Sequence, residues 1–208
     1  MKVLLLNGSP HKNGCTYTAL EEVEGVLKKE GIETEIVQLG NGPIRDCIGC
    51  GGCSKKDGAC VFYDDNINEI LDKAKQADGF IFGTPVYYAH PSGRVLSALD
   101  RLFYAGSSAF AHKPGAAVAS ARRAGTTASL DVLNKYFTIA QMPVVSSSYW
   151  NMVHGNTPEE VHQDKEGLQV MRNLGRNMAW LLKCIEAGRE KGFEAPHAEK
   201  AFRTNFIR

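Results

Sequence analysis

The sequence predicts an α/β fold, a doubly wound sheet of five parallel strands in the order 2-1-3-4-5 with helices on both faces. Five short apolar runs alternate with five longer segments whose apolar residues recur every three or four positions. Most connections are short, and no internal repeat interrupts the alternation. In such a sheet the ligand crevice lies at the carboxyl ends of strands one and three.

The first strand is predicted at residues 3–6, an unbroken apolar run typical of a strand that is buried on both faces. The polar stretch 7–14 follows, and a helix begins near Cys15 or Thr16. The apolar residues on one side of this helix are Tyr17, Leu20, Val23, Val26 and Leu27.

The middle of the chain contains the next two strands, predicted at residues 34–39 and 79–83. The irregular stretch 40–64 between them contains four of the six cysteines. A helix begins after Asp65 and Asn66, and the third strand leads into a loop at residues 84–93. The inward positions of the helices on either side of strand three are Ile67, Ile70, Leu71 and Ala74, then Val95, Leu96, Leu99, Leu102 and Phe103.

The last third of the chain contains strand four at residues 116–120, a loop at 121–127 and strand five at residues 144–147. A helix precedes strand five, and a long apolar stripe from Leu168 to Ile185 follows it. We therefore expect a single domain, residues 1–208, with a Cys-rich insertion at about 43–62 and a C-terminal helix at about 158–190.

Composition argues against several kinds of partner. The 208 residues are 43% hydrophobic and 23% charged, and the net charge is +1 without a dense block of Lys or Arg. Nucleic acid and anionic membranes are therefore not expected partners. The apolar run before Asn7 is too short for a signal peptide, so we expect a cytoplasmic protein with reduced cysteines.

The loop after strand one has the features of an anion site. It combines hydroxyls, a basic residue and the free N–H groups of a helix N-terminus, with phosphate as the favoured anion. Gly8 and Gly14 do not fit a nucleotide-triphosphate or dinucleotide loop. A phosphatase would need an Arg six residues after Cys15, where Glu21 stands. The loop suits a phosphomonoester that stays bound, such as the tail of FMN, although a simple turn with an N-cap would look similar.

Three loops with unusual composition follow strands one, three and four, at residues 9–16, 84–93 and 120–126. The predicted strand order brings all three to one crevice. Pro85, Val86, Tyr87 and Tyr88 can supply an apolar wall and backbone N–H groups for a flat ring. Packing at the sheet edge is the simpler interpretation of the tyrosines.

Charged residues near this crevice have two interpretations. Arg122 or Arg123 could stabilise a reduced flavin or pair with a phosphate of NADPH, and a solvated loop is the alternative. We interpret Asp64, Asp65, Asp100 and Arg101 as helix charges and caps. His154, in the loop after strand five, could face the edge of a flavin, and a solvated loop histidine is the preferred interpretation.

The cysteine segment is the second informative feature. Cys47, Cys50 and Cys53 are three positions apart, and Cys60 follows seven positions later, in a Gly-rich stretch that can wrap around a ligand. This spacing favours a [4Fe–4S] cluster over zinc, which more often uses two separated pairs. Empty thiols or a disulfide remain alternatives. Cys184 lies among apolar residues and is interpreted as a core thiol.

The motifs GSPHKNGCT, TPVYYAHPSG and SARRAGTT resemble the flavodoxin-like NADPH-dependent FMN reductases, and CIGCGGC with a later Cys resembles their iron–sulfur flavoprotein branch. The resemblance covers residues 1–150 and implies an FMN site built from three loops. Cys15 stands where many members of the family have Asn or Ser. The residues implied in FMN binding are Ser9, His11, Asn13, Cys15 and Thr16 for the phosphate, Pro85, Val86, Tyr87 and Tyr88 beside the ring and ribityl chain, and Ser120, Arg122, Arg123 and Gly125 in the third loop.

We therefore expect a homodimeric or homotetrameric flavoprotein that takes electrons from NAD(P)H through FMN. Its acceptor would be a quinone, another flavin or a [4Fe–4S] cluster on Cys47, Cys50, Cys53 and Cys60. No acid or base side chain is needed, because the cofactor carries the chemistry. The alternative is an electron carrier with the same cofactors that receives electrons from a ferredoxin-like partner, and a third hypothesis is a non-catalytic zinc or FMN module.

Overall fold

The structure is a computed structural model that describes residues 1–204 and 206. Its strands are β1 (Lys2–Asn7), β2 (Glu33–Gln38), β3 (Gly79–Tyr87), β4 (His90–Pro91), β5 (Gly115–Ala121) and β6 (Met152–His154). Its helices are α1 (Cys15–Lys29), α2 (Ile67–Gln76), α3 (Gly93–Phe110), α4 (Thr126–Ile139), α5 (Pro158–Val161) and α6 (Lys165–Glu190), with a 3-10 turn at Gly52–Lys55.

The main sheet is parallel and has the order β2-β1-β3-β5-β6. The short strand β4 pairs antiparallel with the end of β3 and takes no place in this order. The predicted doubly wound sheet is thus confirmed, and its order agrees with the prediction except for the position of the fifth strand in the sequence. At the centre, Leu5 of β1 pairs with Ile36 on one side and Ile81 on the other.

The two faces of the sheet bury separate apolar clusters. Leu4 and Leu6 of β1 point into the cluster formed with α2, α3 and α4, whereas Val3 and Leu5 point into the cluster formed with α1 and α6. Alternate residues of a strand face opposite ways, so a strand covered on both sides must be apolar throughout. This is why residues 3–6 of the first strand are all apolar.

The prediction of strand five at residues 144–147 is wrong. There, Val144 forms one isolated parallel bridge with Gly115, and the fifth parallel strand is β6. The chain leaves the sheet after Val145 and returns where the Asn151 carbonyl accepts the Ala119 N–H at 3.0 Å. The three serines after Val145 cannot cover an apolar face, whereas Val153 is fully buried.

Cys184 is exposed on α6, so its interpretation as a core thiol is wrong. In the described part of the chain, the helices are all too short or too polar to cross a membrane.

Candidate functional site

A crevice lies at the carboxyl edge of the sheet, between the loops that follow β1, β3, β5 and β6. It encloses a cavity of about 280 Å³. Parallel strands end at the same edge, so loops distant in sequence meet there. The cavity is lined by Ser9, His11, Cys15, Thr16, Pro85, Val86, Tyr87, Ser120, Ala121, Arg122, Gly155 and Asn156.

The loop after β1 is held in shape by its own polar groups. Ser9 is buried, and its N–H donates to Asn7 Oδ1 at 3.1 Å. Its hydroxyl accepts the His11 N–H at 3.1 Å, and its carbonyl accepts a hydrogen bond from Gln38 Nε2 at 2.6 Å. The loop is therefore ordered by contacts with β1 and β2, as a preformed binding loop requires.

The N-terminus of α1 points its free N–H groups toward the crevice. The N-cap residue is Gly14, which has no side chain to satisfy them. Thr16, in the first turn, is buried, and its hydroxyl lies 2.8 Å from that of Ser120 near the end of β5. This bond joins the start of α1 to the end of β5 and places two hydroxyls beside a helix N-terminus, an arrangement that suits a phosphate.

Cys15 is a half-buried thiol in the wall of the same cavity. Its Sγ lies 3.6 Å from the Gly155 carbonyl oxygen and donates to it. Burial raises the pKa of the thiol, and the nearby Glu160 and Glu159 raise it further. At neutral pH Cys15 is therefore a neutral thiol, which adds no negative charge to a site suited to an anion.

The end of β3 forms a tight hairpin with β4, where the sequence predicted a loop at residues 84–93. Val86 pairs with Pro91 and Tyr87 with His90. The two residues of the turn, Tyr88 and Ala89, have φ values of 51° and 66°, which are unusual for residues with a side chain. The hairpin keeps Tyr87 at the cavity and turns the fully exposed Tyr88 toward solvent.

The loop after β5 packs directly against that hairpin. Gly125 has a φ of 97°, and a Cβ there would lie 2.6 Å from Ala89 Cα and 2.7 Å from Val86 Cγ1. Only glycine allows both the conformation and the contact. His154 Nε2 donates to the Arg123 carbonyl at 3.0 Å, so His154 ends β6 and supports this loop, which corrects its interpretation as a loop residue.

The structure brings nine of the thirteen residues implied in FMN binding to the cavity and leaves four outside its lining: Asn13, Tyr88, Arg123 and Gly125. Of these four, Gly125 supports the wall, while Asn13, Tyr88 and Arg123 are exposed. Sequence analysis missed Ala121, Gly155 and Asn156. The last two follow β6, so misplacing the fifth strand concealed them.

A second cavity, of about 100 Å³, lies between the irregular segment 40–66 and α3. All four cysteines of the predicted cluster motif line it, with Ile48, Tyr104 and Ala105 among its other walls. Cys53 Sγ donates to the Tyr104 carbonyl at 3.6 Å, which ties the segment to α3. All six cysteines of the chain are free thiols.

Cys60 is the most firmly held of the four. Its N–H donates to Asn68 Oδ1 at 2.8 Å, and Asn68 Nδ2 donates back to the Cys60 carbonyl at 3.1 Å. Its sulfur accepts a hydrogen bond from Arg101 Nε at 3.2 Å. Both α2 and α3 therefore fix this one residue.

Arg101 was interpreted as a helix charge, and the structure corrects this. Its side chain is 1% exposed and pairs with Asp65, whose side chain is 5% exposed. Burial by itself would lower the pKa of Arg101, but hydrogen bonds to Asp65 and Cys60 outweigh it and raise the pKa. The charged pair is thus buried beside a cysteine, and breaking such a pair typically costs about 3–5 kcal/mol.

Comparison with known proteins identifies the chain. The family model of the NADPH-dependent FMN reductases matches residues 1–157. The chain belongs to this family. The match includes the crevice loops and the cysteine segment.

The chain is also similar to individual proteins over most of its length. An iron-sulfur flavoprotein of Methanocaldococcus jannaschii is 35% identical over 195 residues, which are 89% of this chain and 100% of that protein. An iron-sulfur flavoprotein of Methanosarcina thermophila is 30% identical over 92% of this chain and 100% of that protein. The structure of an archaeal flavodoxin shares the fold, with a TM-score of 0.59 and 16% identity over 88% of this chain and 99% of that one.

The crevice fits the cofactor after which the family is named. A flavin mononucleotide needs an anion site for its phosphate and an apolar wall with polar groups for its ring. The anion site is the helix N-terminus with Thr16 and Ser120. The apolar wall is formed by Pro85, Val86 and Tyr87.

The cysteine cavity fits an iron–sulfur cluster by its donor set. Four thiols line one small cavity, and cysteine thiolates are the usual ligands of such clusters. Among residues 1–204 and 206, no group of three or more His, Cys, Asp or Glu side chains is already arranged around a metal position. The four thiols lie around one cavity, and they would take their final arrangement when a cluster binds.

Proposed function

We propose that the protein is an FMN-dependent oxidoreductase that passes electrons from NAD(P)H to a quinone, a flavin or an iron–sulfur acceptor. The observation that carries this proposal is the meeting of three loops at one crevice, with hydroxyls at a helix N-terminus on one side and an apolar wall on the other. The family to which the chain belongs supports it. FMN, when bound, supplies the chemistry, since it can accept a hydride and release electrons singly or in pairs.

The residues of the crevice bind and orient the cofactor in this proposal. Ser9, Thr16 and the N–H groups of α1 would hold the phosphate, and the hairpin of β3 and β4 would cover one face of the ring. Arg122, exposed at the cavity wall, would stabilise negative charge on the reduced ring or on a phosphate of NADPH. No side chain needs to transfer a proton.

A [4Fe–4S] cluster is the second cofactor that we propose. Cys47, Cys50, Cys53 and Cys60 would hold it, and it would exchange single electrons with its surroundings. The names of the two archaeal relatives support this assignment. Since the relatives are matched over nearly the whole chain, we propose a single domain with the cysteine segment as an insertion.

One observation favours a second function, that of an electron carrier with little NAD(P)H activity. The cysteine cavity opens at the surface, where Cys50 is exposed and the rim residues Ile48 and Tyr104 are 66% and 72% exposed. A redox centre at the surface can exchange electrons directly with a protein such as a ferredoxin.

The two functions are separated by anaerobic kinetics on protein loaded with FMN and iron. If the protein is an NAD(P)H-dependent reductase, NADPH or NADH bleaches the flavin absorbance within seconds and is consumed in steady state with a quinone acceptor. Arg122→Ala should slow this reaction more than Arg123→Ala, because Arg122 lines the cavity and Arg123 does not. Bleaching by reduced ferredoxin but not by NAD(P)H would establish the carrier.

A further inference from the structure

Arg101 is a fully buried positive charge in the middle of α3, with all of its donors pointing toward the cysteine segment. A buried guanidinium is costly unless each of its groups is paired. Its two terminal nitrogens donate to the carboxylate of Asp65, one of them at 3.1 Å. Its Nε is left for Cys60 Sγ, at 3.2 Å.

The bond from Arg101 to Cys60 suits a sulfur that carries negative charge. A neutral thiol is a weak acceptor, whereas a thiolate is a strong one, and a charged donor strengthens the bond further. Asp65 holds the planar guanidinium from the opposite side, so Nε cannot turn away from the sulfur without breaking the pair. Asn68 fixes the Cys60 backbone independently, through hydrogen bonds of 2.8 and 3.1 Å.

We propose that Arg101, oriented by Asp65, is a positioning residue that holds the Cys60 sulfur and raises the reduction potential of the cluster. The inference rests on the cluster proposed above. Hydrogen bonds to the sulfurs and the net charge around a cluster set its potential, and a positive charge favours the reduced, more negative state. Asp65 opposes this effect by partly neutralising Arg101.

The chain contains a matched control pair beside this one. Arg45 pairs with Asp64 at 2.6 Å and lies over the same Phe62 ring, 5.2 Å from its centre compared with 5.5 Å for Arg101. The side chains of Arg45 and Asp64 are 58% and 53% exposed, so solvent screens their charges. Neither side chain lines the cysteine cavity.

The test is the midpoint potential of the cluster, measured by an EPR-monitored redox titration of FMN- and iron-loaded protein. Arg101→Lys keeps the charge, but a lysine ammonium cannot donate to both Asp65 and Cys60 as the planar guanidinium does. The reduction potential of the cluster should therefore fall. Asp65→Asn keeps the shape but leaves Arg101 without a counter-charge, so the potential should rise. We expect a tenfold change in the one-electron equilibrium in each case, about 59 mV.

Arg45→Lys and Asp64→Asn should leave the potential unchanged. Opposite shifts cannot come from loosened packing, because both buried variants lose packing and lower the melting temperature. Shifts of the same sign, or none, with four irons per chain retained would overturn the inference while the proposed cluster stands. If the wild-type protein binds no iron after reconstitution, both the proposed cluster and this inference are wrong. The iron assay shows this before any variant is made.

Discussion

The crevice and the cysteine segment are built in opposite ways. The crevice loops start from strand ends that neighbouring strands hold by hydrogen bonds. The start of α1 also bonds to the end of β5, through the Thr16 and Ser120 hydroxyls at 2.8 Å. Residues 40–66, all of which the structure describes, contain one 3-10 turn and no other regular element. Their position depends on side chains of α2 and α3, chiefly Asn68 and Arg101.

The two sites become ordered in different ways. A loop on a parallel sheet is positioned before any ligand binds, because the fold itself fixes its ends. An irregular segment with few backbone partners must take part of its order from the ligand, as many small metal sites do. We therefore expect the crevice to tolerate loss of metal and the cysteine segment to depend on it.

Loss of one cysteine ligand should remove iron from the cysteine segment without affecting FMN in the crevice. Cys50→Ser should abolish iron binding, because it removes one of four ligands, while FMN stays bound at its wild-type stoichiometry. Iron, sulfide, zinc and flavin assays on protein purified without oxygen measure both. Cys184→Ser, on the exposed face of α6, is the control and should keep both cofactors. Loss of FMN together with iron in Cys50→Ser would contradict the independence of the two regions.

Two glycines with left-handed backbone provide the next comparison. Gly125→Ala in the crevice should cost about 3 kcal/mol of unfolding free energy, since strain adds to a clash with Ala89 Cα. Gly49→Ala in the cysteine segment, with a φ of 62° and open space around it, should cost about 1 kcal/mol. Urea unfolding measures both values.

The affinity for FMN should also differ between the Gly125→Ala and Gly49→Ala variants. Only Gly125→Ala should weaken FMN binding, because the hairpin that it displaces carries Val86 and Tyr87. Equal losses of unfolding free energy and equal FMN affinities for the two variants would show that the crevice is no more tightly packed than the cysteine segment.

A smaller effect tests the bond between Thr16 at the start of α1 and Ser120 at the end of β5. Thr16→Val should weaken FMN binding about tenfold, the equivalent of about 1.4 kcal/mol, because it removes one hydroxyl of the phosphate site and its bond to Ser120. Thr18→Val is the matched control, since Thr18 is also buried on α1 but its hydroxyl bonds the Gly14 carbonyl. Fluorescence titration of the FMN-free protein measures both, and equal weakening would remove Thr16 from the site.

The smallest effect concerns the Cys15 thiol. Because burial raises its pKa, its alkylation by iodoacetamide should reach half its maximal rate above the usual thiol value of about 8.5. The thiolate fraction is lower at any given pH, so the rate at pH 7.5 should be slow, and FMN should slow it further. Peptide mass spectrometry follows the reaction, and a fast reaction at pH 7.5 that FMN does not affect would place Cys15 outside the crevice.

Local patterns in the sequence determined most of the fold and part of the site. Apolar runs and helical spacing predicted most strands and helices, because these elements depend on residues near each other in the chain. The strand order and the meeting of the three loops followed from the common order of doubly wound sheets. The cysteine spacing indicated a second centre for the same reason. The fifth strand was misplaced because Val144 and Val145 form an apolar pair that only one bridge connects to the sheet.

Contacts between distant residues were decided only by the tertiary structure. Arg101 and Cys60 are 41 positions apart, and Thr16 and Ser120 are 104 apart, so no local pattern encodes either bond. A charged residue on a helix looks the same in sequence whether it faces water or a buried carboxylate, and the packing of α3 against the cysteine segment decides which.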